Sequence, residues 1–118
     1  MSWIYSQSTG RLTRDGQFVA TGYSGKGAGR NNPAEQAVPD VGPIPQGRYR
    51  IGPQFHAPVQ GPCAMRLTPE GHNALGRTGF MIHGDNAAHD ASTGCIILPP
   101  QARQEIAASP DRDLQVAG

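Results

Sequence analysis

Turn-forming residues recur so densely along this chain that they restrict the folds open to it. The 118 residues include 16 glycines and 11 prolines, and the apolar runs between them are short. Glycine and proline weaken helix interiors and favour tight turns, so their density disfavours a helical bundle. The recurrent apolar runs indicate a folded chain rather than a disordered one. We therefore predict one mainly β domain, spanning residues 1–118, with many short strands.

Charge and hydropathy exclude two classes of protein. The formal net charge of +1 leaves no basic surface of the kind that nucleic acid requires. No stretch approaches the ~20 apolar residues that span a bilayer, so membrane insertion is not predicted. The N-terminal residues Met1 to Gln7 have neither the basic nor the apolar region of a secretory signal. Export through a Sec signal is therefore not expected.

Short strands are predicted on both sides of a long loop. They cover residues 3–5, 11–13, 17–21, 48–51, 64–67, 80–83, 95–98 and 114–117, with Asp15-Gly16 as a strong hairpin signal. Residues 23–41 show no periodicity and are rich in Gly, Asn and Pro, so this segment is predicted to be loop. One short helix is predicted from Pro100 to about Ala108, because proline suits the first helical turn.

The residues with chemical potential gather between Met81 and Pro99. His83 ends one apolar run, and Cys95 begins another after a short polar loop. Two strands joined by this loop would place the imidazole and the thiol at neighbouring strand ends. Such a pair provides a cysteine nucleophile with its general base. Gly94 would give the backbone the freedom to aim amides at a developing oxyanion.

Other interpretations of the same residues stay open at this point. Cys95 could be a buried structural cysteine at the start of a strand. It could also form a disulfide with Cys63, although we expect Cys63 to serve as a small buried core residue. His89, inside the loop, is a second candidate base. Cys95 could also bind zinc together with the His and Asp side chains of residues 83–90. The spacing matches no compact zinc motif, so no metal or other cofactor is predicted.

The motifs around this pair resemble the catalytic signature of the L,D-transpeptidases. His83-Gly84, a loop and Ser92-Thr93-Gly94-Cys95-Ile96 are similar to the family pattern, and the shortened loop resembles the L,D-transpeptidase-like effector domains of type VI secretion systems. Asn31-Asn32-Pro33 and the segment from Gly42 to Tyr49 resemble upstream motifs of that branch. Two residues depart from the wider superfamily. Thr93 stands where a His is usual, and Ile97 stands where many members have Arg or Asn.

This resemblance implies an enzyme that acts on peptidoglycan stem peptides, with an L,D-transpeptidase-like β-sandwich or open barrel and one short helix. Cys95 would attack the carbonyl of the third residue, typically meso-diaminopimelate, next to a terminal D-alanine, and His83 would be the base. The amides of Gly94 and Cys95 would stabilise the oxyanion. Ser92 would orient His83, with Asp85 or a backbone carbonyl as alternatives. Water would complete an L,D-carboxypeptidase reaction, and a D-amino acid would complete an exchange.

The resemblance also implies a substrate groove, a destination and a partner. Tyr23, Ser24, Asn32 and Asp85 are the predicted substrate-binding residues. Delivery by a contractile secretion machine would carry the protein to the periplasm of a rival cell. A cognate immunity protein would protect the producer. The alternative is a non-catalytic domain of the same fold that binds muropeptides or another protein, although such a domain has no need of a nucleophile.

Overall fold

A computed structural model describes residues 2–118 of the chain, which form a β-sheet with one α-helix. The strands are β1 (Trp3–Ser6), β2 (Arg11–Arg14), β3 (Gln17–Thr21), β4 (Tyr23–Ser24), β5 (Gly47–Ala57), β6 (Gly61–Glu70), β7 (Met81–His83), β8 (Ile96–Ile97) and β9 (Asp113–Ala117). The helix, α1, covers Pro100–Ala108, and short 3₁₀ turns cover Gly27–Gly29, Pro33–Glu35 and Ala74–Gly76. Among the helices of residues 2–118, none is long and apolar enough to cross a membrane. The predicted mainly β fold with one short helix is confirmed.

The order of the strands makes the sheet curl on itself. Nine strands follow the order β3-β2-β1-β9-β5-β6-β7-β8-β4, so β3 and β4 are the two edges. Only Gly22 separates these edge strands in the chain, and its amide bonds the carbonyl of Gly10 at 2.7 Å. The two ends of the sheet must therefore come together, as in an open barrel. This curvature brings β4 beside β8, with which it pairs in antiparallel orientation.

The core lies on the face of the sheet that the curl encloses. Alternation along β1 buries Trp3 and Tyr5 and leaves Ile4 exposed, as expected for a strand with one wet face. α1 begins at Pro100 as predicted, packs against β6, and turns Ala102 and Ile106 inward. Removing apolar side chains of this size from water contributes ~1.5–3 kcal/mol each. The helix therefore closes the side of the core next to β6.

The central hairpin is longer than the sequence indicated. β5 and β6 extend well beyond the predicted strands at residues 48–51 and 64–67. Proline removes a ladder donor and normally ends a strand. Here Pro53 lies where the pairing between the two strands shifts register, between Ile51 and Gln54. A bulge at this point accommodates the proline, and the hairpin continues beyond it.

Two further expectations are corrected by the fold. Residues 23 and 24 were predicted to belong to the loop, but they form β4, with both side chains buried against β8. Cys63 was expected to be buried, yet it is partly exposed and has a positive φ of 57° near the start of β6. Both cysteines are free, so the possible disulfide between Cys63 and Cys95 is absent from the described chain.

Candidate active site

The two strands that carry the predicted nucleophile and base run parallel to each other. Ile82 of β7 pairs with Ile96 of β8, so Cys95, just before β8, lies beside Met81, at the start of β7. His83 is the last residue of β7, two positions beyond Met81. Side chains two positions apart share one face of a strand, so the imidazole and the thiol emerge on the same face. The residues therefore lie on neighbouring strands, with His83 at the exit of one and Cys95 at the entrance of the other.

His83 is held by the backbone of the residue that follows it. Its side chain is buried, and Nδ1 lies 2.8 Å from the carbonyl oxygen of Gly84. A carbonyl can only accept, so Nδ1 carries the proton and Nε2 keeps a free lone pair. Burial lowers the pKa of His83; the bond to Gly84 opposes this shift, and the guanidinium of Arg103 lowers the pKa further. The ring is therefore neutral near pH 7, as a general base must be.

Cys95 is a thiol in the resting protein. Burial raises the pKa of the Cys95 thiol, while the backbone amide of Met81 and the guanidinium of Arg77 act in the opposite direction. The Sγ atom lies 3.7 Å from the carbonyl oxygen of Gly79, to which the S–H can donate. The thiol and the imidazole are thus both neutral at rest.

Ser92 supports the turn before Cys95 and does not orient His83. Its hydroxyl donates to the carbonyl oxygen of Cys95 at 2.6 Å and accepts from the amides of Gly25 at 2.9 Å and Gly94 at 3.1 Å. One donated and two accepted bonds use the full capacity of a hydroxyl group. The orienting role predicted for Ser92 is therefore corrected, because the carbonyl of Gly84 holds the ring.

The backbone amides at this turn differ in availability. The Gly94 amide already donates to Ser92, while the carbonyl of Gly94 accepts from the hydroxyl of Ser24 at 3.1 Å. Gly94 has φ +142°, and a Cβ there would lie 2.5 Å from Nη2 of Arg77. The amide of Cys95 precedes the β8 ladder, and in the part of the chain described here it donates no hydrogen bond. It is therefore the amide available to an oxyanion.

Ser24 and Asn32, two of the predicted substrate-binding residues, make hydrogen bonds within the protein. Ser24 is fully buried, and its hydroxyl accepts from the amide of Ile44 at 2.9 Å while donating to Gly94. Asn32 caps the 3₁₀ turn at Pro33–Glu35, with Oδ1 accepting from the Ala34 amide at 3.1 Å. Neither side chain lines a cavity next to Cys95 within residues 2–118. The groove prediction is corrected for Ser24, whose hydroxyl is fully buried, and stays a prediction for the partly exposed Asn32.

Tyr23 and Asp85, the other two, belong to one network that fixes the loop after His83. The Tyr23 hydroxyl donates to Asp85 at 2.5 Å and accepts from the amide of Ala91 at 2.9 Å. The hydroxyl's pKa is raised to about 12, first by burial and then by this bond. His89 bonds the other carboxylate oxygen of Asp85 at 2.8 Å. Burial raises the pKa of Asp85, but the bonds from Tyr23 and His89 outweigh it and lower the pKa overall.

Two cavities are formed by residues close to His83 and Cys95. The first, of about 250 Å³, is lined by segments 39–40, 76–80 and 93–95, including the thiol. The second, of about 410 Å³, is lined by Tyr23, Asp85 and Arg103 together with residues 97–100. His83 lines neither of them. Asp85 and His89 pair with each other, and no group of three candidate metal ligands converges within residues 2–118.

Sequence reasoning missed Arg77 in the wall of the first cavity. Its guanidinium is buried and bonds backbone carbonyls that lie between 16 and 41 residues away in the chain. Contacts at such separations leave no local pattern, and residues 68–79 were predicted only as loop. Phe80, whose ring lies 5.3 Å from the guanidinium, completes this wall.

The fold is that of an L,D-transpeptidase-like domain. The crystal structure of Mycobacterium tuberculosis L,D-transpeptidase 1 is similar, with a TM-score of 0.57 and 17% identity, over 99% of this chain and 61% of that one. The family described as Tlde1 domain, a type VI effector family, matches residues 19–115, so the chain belongs to that family. Among curated proteins, none matches this sequence. The resemblance inferred from the motifs is confirmed.

Proposed function

We propose that this chain is a cysteine-dependent L,D-carboxypeptidase of peptidoglycan tetrapeptide stems, with exchange of D-amino acids as its second reaction. Its family and its L,D-transpeptidase-like fold suggest a peptidoglycan-acting effector. One observation supports the catalytic proposal above all. The His83 ring, held through Nδ1 by Gly84, shares a sheet face with the partly buried Cys95 thiol and keeps Nε2 free.

Acylation follows from this arrangement. Nε2 of His83 takes the thiol proton as Sγ of Cys95 bonds to the carbonyl carbon of the third stem residue. The oxygen of that carbonyl becomes an anion, which the free amide of Cys95 stabilises. The carbon–nitrogen bond to the terminal D-alanine then breaks, and His83 returns its proton to the leaving amine. A thioester on Cys95 remains.

Deacylation restores the enzyme. His83 takes a proton from water as the water oxygen attacks the thioester, and the thiol leaves with that proton. A D-amino acid that attacks through its amine in place of water yields an exchanged stem. The cavity at Cys95 is about 250 Å³, which suits water or a small amino acid better than a second stem peptide. Cross-linking is therefore the least favoured outcome.

The family supports a proposal for location and partner. A type VI effector family suggests secretion and action on target cells. We propose that the substrate is met in the periplasm of the target cell, where tetrapeptide stems occur. We further propose that a cognate immunity protein binds over the cavity at Cys95 and blocks access to the thiol.

Muropeptide digestion tests the proposed activity. Purified protein incubated with disaccharide tetrapeptides should release D-alanine and leave tripeptides, detected by mass spectrometry. Cys95→Ala should give no product and keep the fold, whereas Cys63→Ala, the matched control at the other free cysteine, should keep most activity. Intact tetrapeptides after incubation with a folded wild type would contradict the proposal. Binding without turnover would then favour the non-catalytic muropeptide-binding domain.

A further inference from the structure

Arg77 is a buried cation whose hydrogen bonds go to backbone carbonyls. Its side chain is 8% exposed. Nη1 donates to the carbonyls of Gln36 at 2.7 Å and Pro43 at 2.8 Å, and Nη2 donates to those of Gly42 at 3.0 Å and Thr93 at 3.2 Å. Within residues 2–118 no carboxylate forms a salt bridge with it. Carbonyl dipoles satisfy its donors but leave its full positive charge in place.

That charge lies against the backbone of the nucleophile. Arg77 and Cys95 line the same cavity, and a Cβ on Gly94 would lie 2.5 Å from Nη2. The carbonyl held by Nη2 belongs to the peptide that joins Thr93 to Gly94. The amide of this same peptide donates to Ser92, so the peptide is clamped at both ends. The guanidinium thus contacts the turn whose geometry sets the direction of the Cys95 amide.

We propose that Arg77 is the positioning residue of this site, with its guanidinium fixing the turn from Thr93 to Cys95 and its charge favouring the thiolate over the thiol. This inference rests on the proposed function only in naming Cys95 as the nucleophile. Each of the four N–H bonds on the two terminal nitrogens of Arg77 has a carbonyl acceptor. Both terminal nitrogens are therefore fully hydrogen-bonded to the backbone. The guanidinium has no free pair of N–H groups with which to bind a substrate carboxylate.

The charges around the thiol agree with this role. Burial raises the pKa of Cys95, and Arg77 counters that shift. From β7, His83 faces the same side of the sheet but is neutral near pH 7. From the loop before β5, the exposed carboxylate of Asp40 lines the cavity and partly offsets the charge of Arg77. From β5, Tyr49 stays neutral because burial raises its pKa above the usual range.

Alkylation of Cys95 measures the thiolate directly. In a Cys63→Ala background, the rate of reaction with iodoacetamide is followed by intact mass from pH 5 to about pH 10, a range that spans ordinary thiol pKa values. Arg77→Gln should raise the apparent thiol pKa and slow alkylation at pH 7 by about tenfold, the effect of one pKa unit. Arg77→Lys keeps the charge and should stay within about threefold of the parent, half a unit.

Arg112 provides a matched control for the structural part of the effect. It also donates to four backbone carbonyls, those of Ile51, Gly52, Ile106 and Ser109. It lines cavities other than the one at Cys95. Arg112→Gln should lower the melting temperature and leave the alkylation profile at the parent values. A merely structural role for Arg77 would make the two Gln variants behave alike.

Several outcomes would overturn the inference. One is a folded Arg77→Gln protein with the parent's alkylation profile, and another is an equal loss of reactivity in Arg112→Gln. If Arg77→Gln does not fold, Asp40→Asn takes its place: removing this exposed carboxylate should speed alkylation at pH 7 by about twofold. An unchanged rate would then reject the role of Arg77. Alkylation needs no peptidoglycan, so a parent protein inactive on muropeptides but sensitive to Arg77 would refute only the proposed function.

Discussion

The hydroxyl of Ser92 donates a hydrogen bond of 2.6 Å to the carbonyl oxygen of Cys95, three residues further along the chain. The hydroxyl oxygen of Ser92 also accepts hydrogen bonds from the amides of Gly25 and Gly94. One buried side chain therefore joins the entrance of β8 to the loop that follows β4. The position of Cys95 depends on this contact as well as on the sheet.

Ser92→Ala should destabilise the protein and impair its chemistry together. The change leaves two buried amides, those of Gly25 and Gly94, without an acceptor, which costs about 1–3 kcal/mol. Denaturant unfolding measures the loss. The exposed Ser8, whose hydroxyl contacts that of Ser6 at 3.4 Å, provides the control, and Ser8→Ala should change the free energy of unfolding by less than about 0.5 kcal/mol. Equal stability of the two variants would contradict the structural role of Ser92.

His83→Ala should lose about as much activity as Cys95→Ala, because groups that act as a unit are strongly non-additive. D-Alanine release from tetrapeptides is the readout. His89→Ala is the matched control, since His89 pairs with Asp85 on the exposed loop. It should keep most activity. Activity retained without His83 and lost without His89 would transfer the role of base to the loop.

The pH profile should show a base with a lowered pKa. The pKa of His83 lies below its ordinary value of 6.5, first because of burial and also because of Arg103. kcat/KM for D-alanine release should therefore hold through pH 6.5 and fall only at lower pH, as Nε2 becomes protonated. An acid limb centred at or above pH 6.5 would contradict a buried neutral ring.

The same shift links stability to pH. The unfolded chain binds a proton on His83 near pH 6.5, whereas the folded protein binds it only at lower pH. The stability contributed by the neutral ring is thus fully present above pH 6.5 and is lost as the pH falls through the folded-state pKa. His83→Gln should flatten this part of the curve of unfolding free energy against pH. An unchanged curve would show that a group other than His83 is responsible for this part of the pH dependence.

Attack at an L-centre should determine which stem peptides are processed and in which compartment the protein is toxic. Stems that end one D-residue beyond diaminopimelate should be processed, and pentapeptide stems should be largely spared. Because cytoplasmic precursors carry pentapeptides, expression with an added secretion signal should round or lyse cells, whereas cytoplasmic expression should not. Cys95→Ala in the periplasm should be harmless. Equal toxicity of the two proteins there, or toxicity confined to the cytoplasm, would refute action on peptidoglycan.

Local signals in the sequence were enough to predict much of the scaffold and to single out a candidate reacting pair. Glycines and prolines separate the chain into short strands. Pro100 marks the start of α1 because its fixed φ suits the first helical turn. His83 and Cys95 could be singled out because each borders an apolar run and each brings the side-chain chemistry of base or nucleophile. Such features depend on residue type and near neighbours, so they can be read without coordinates.

Tertiary structure alone decided what surrounds that pair. β4 has only two residues and exists because β8 offers it a partner some 70 positions away in the chain. The partners of Ser92 and the carbonyls around Arg77 come from separate loops that the curled sheet brings together. A hydroxyl or a guanidinium bonds whichever acceptors the fold supplies, and those acceptors are backbone atoms that every residue has. Sequence therefore determined which groups are candidates for the chemistry, whereas the fold determined how they are held.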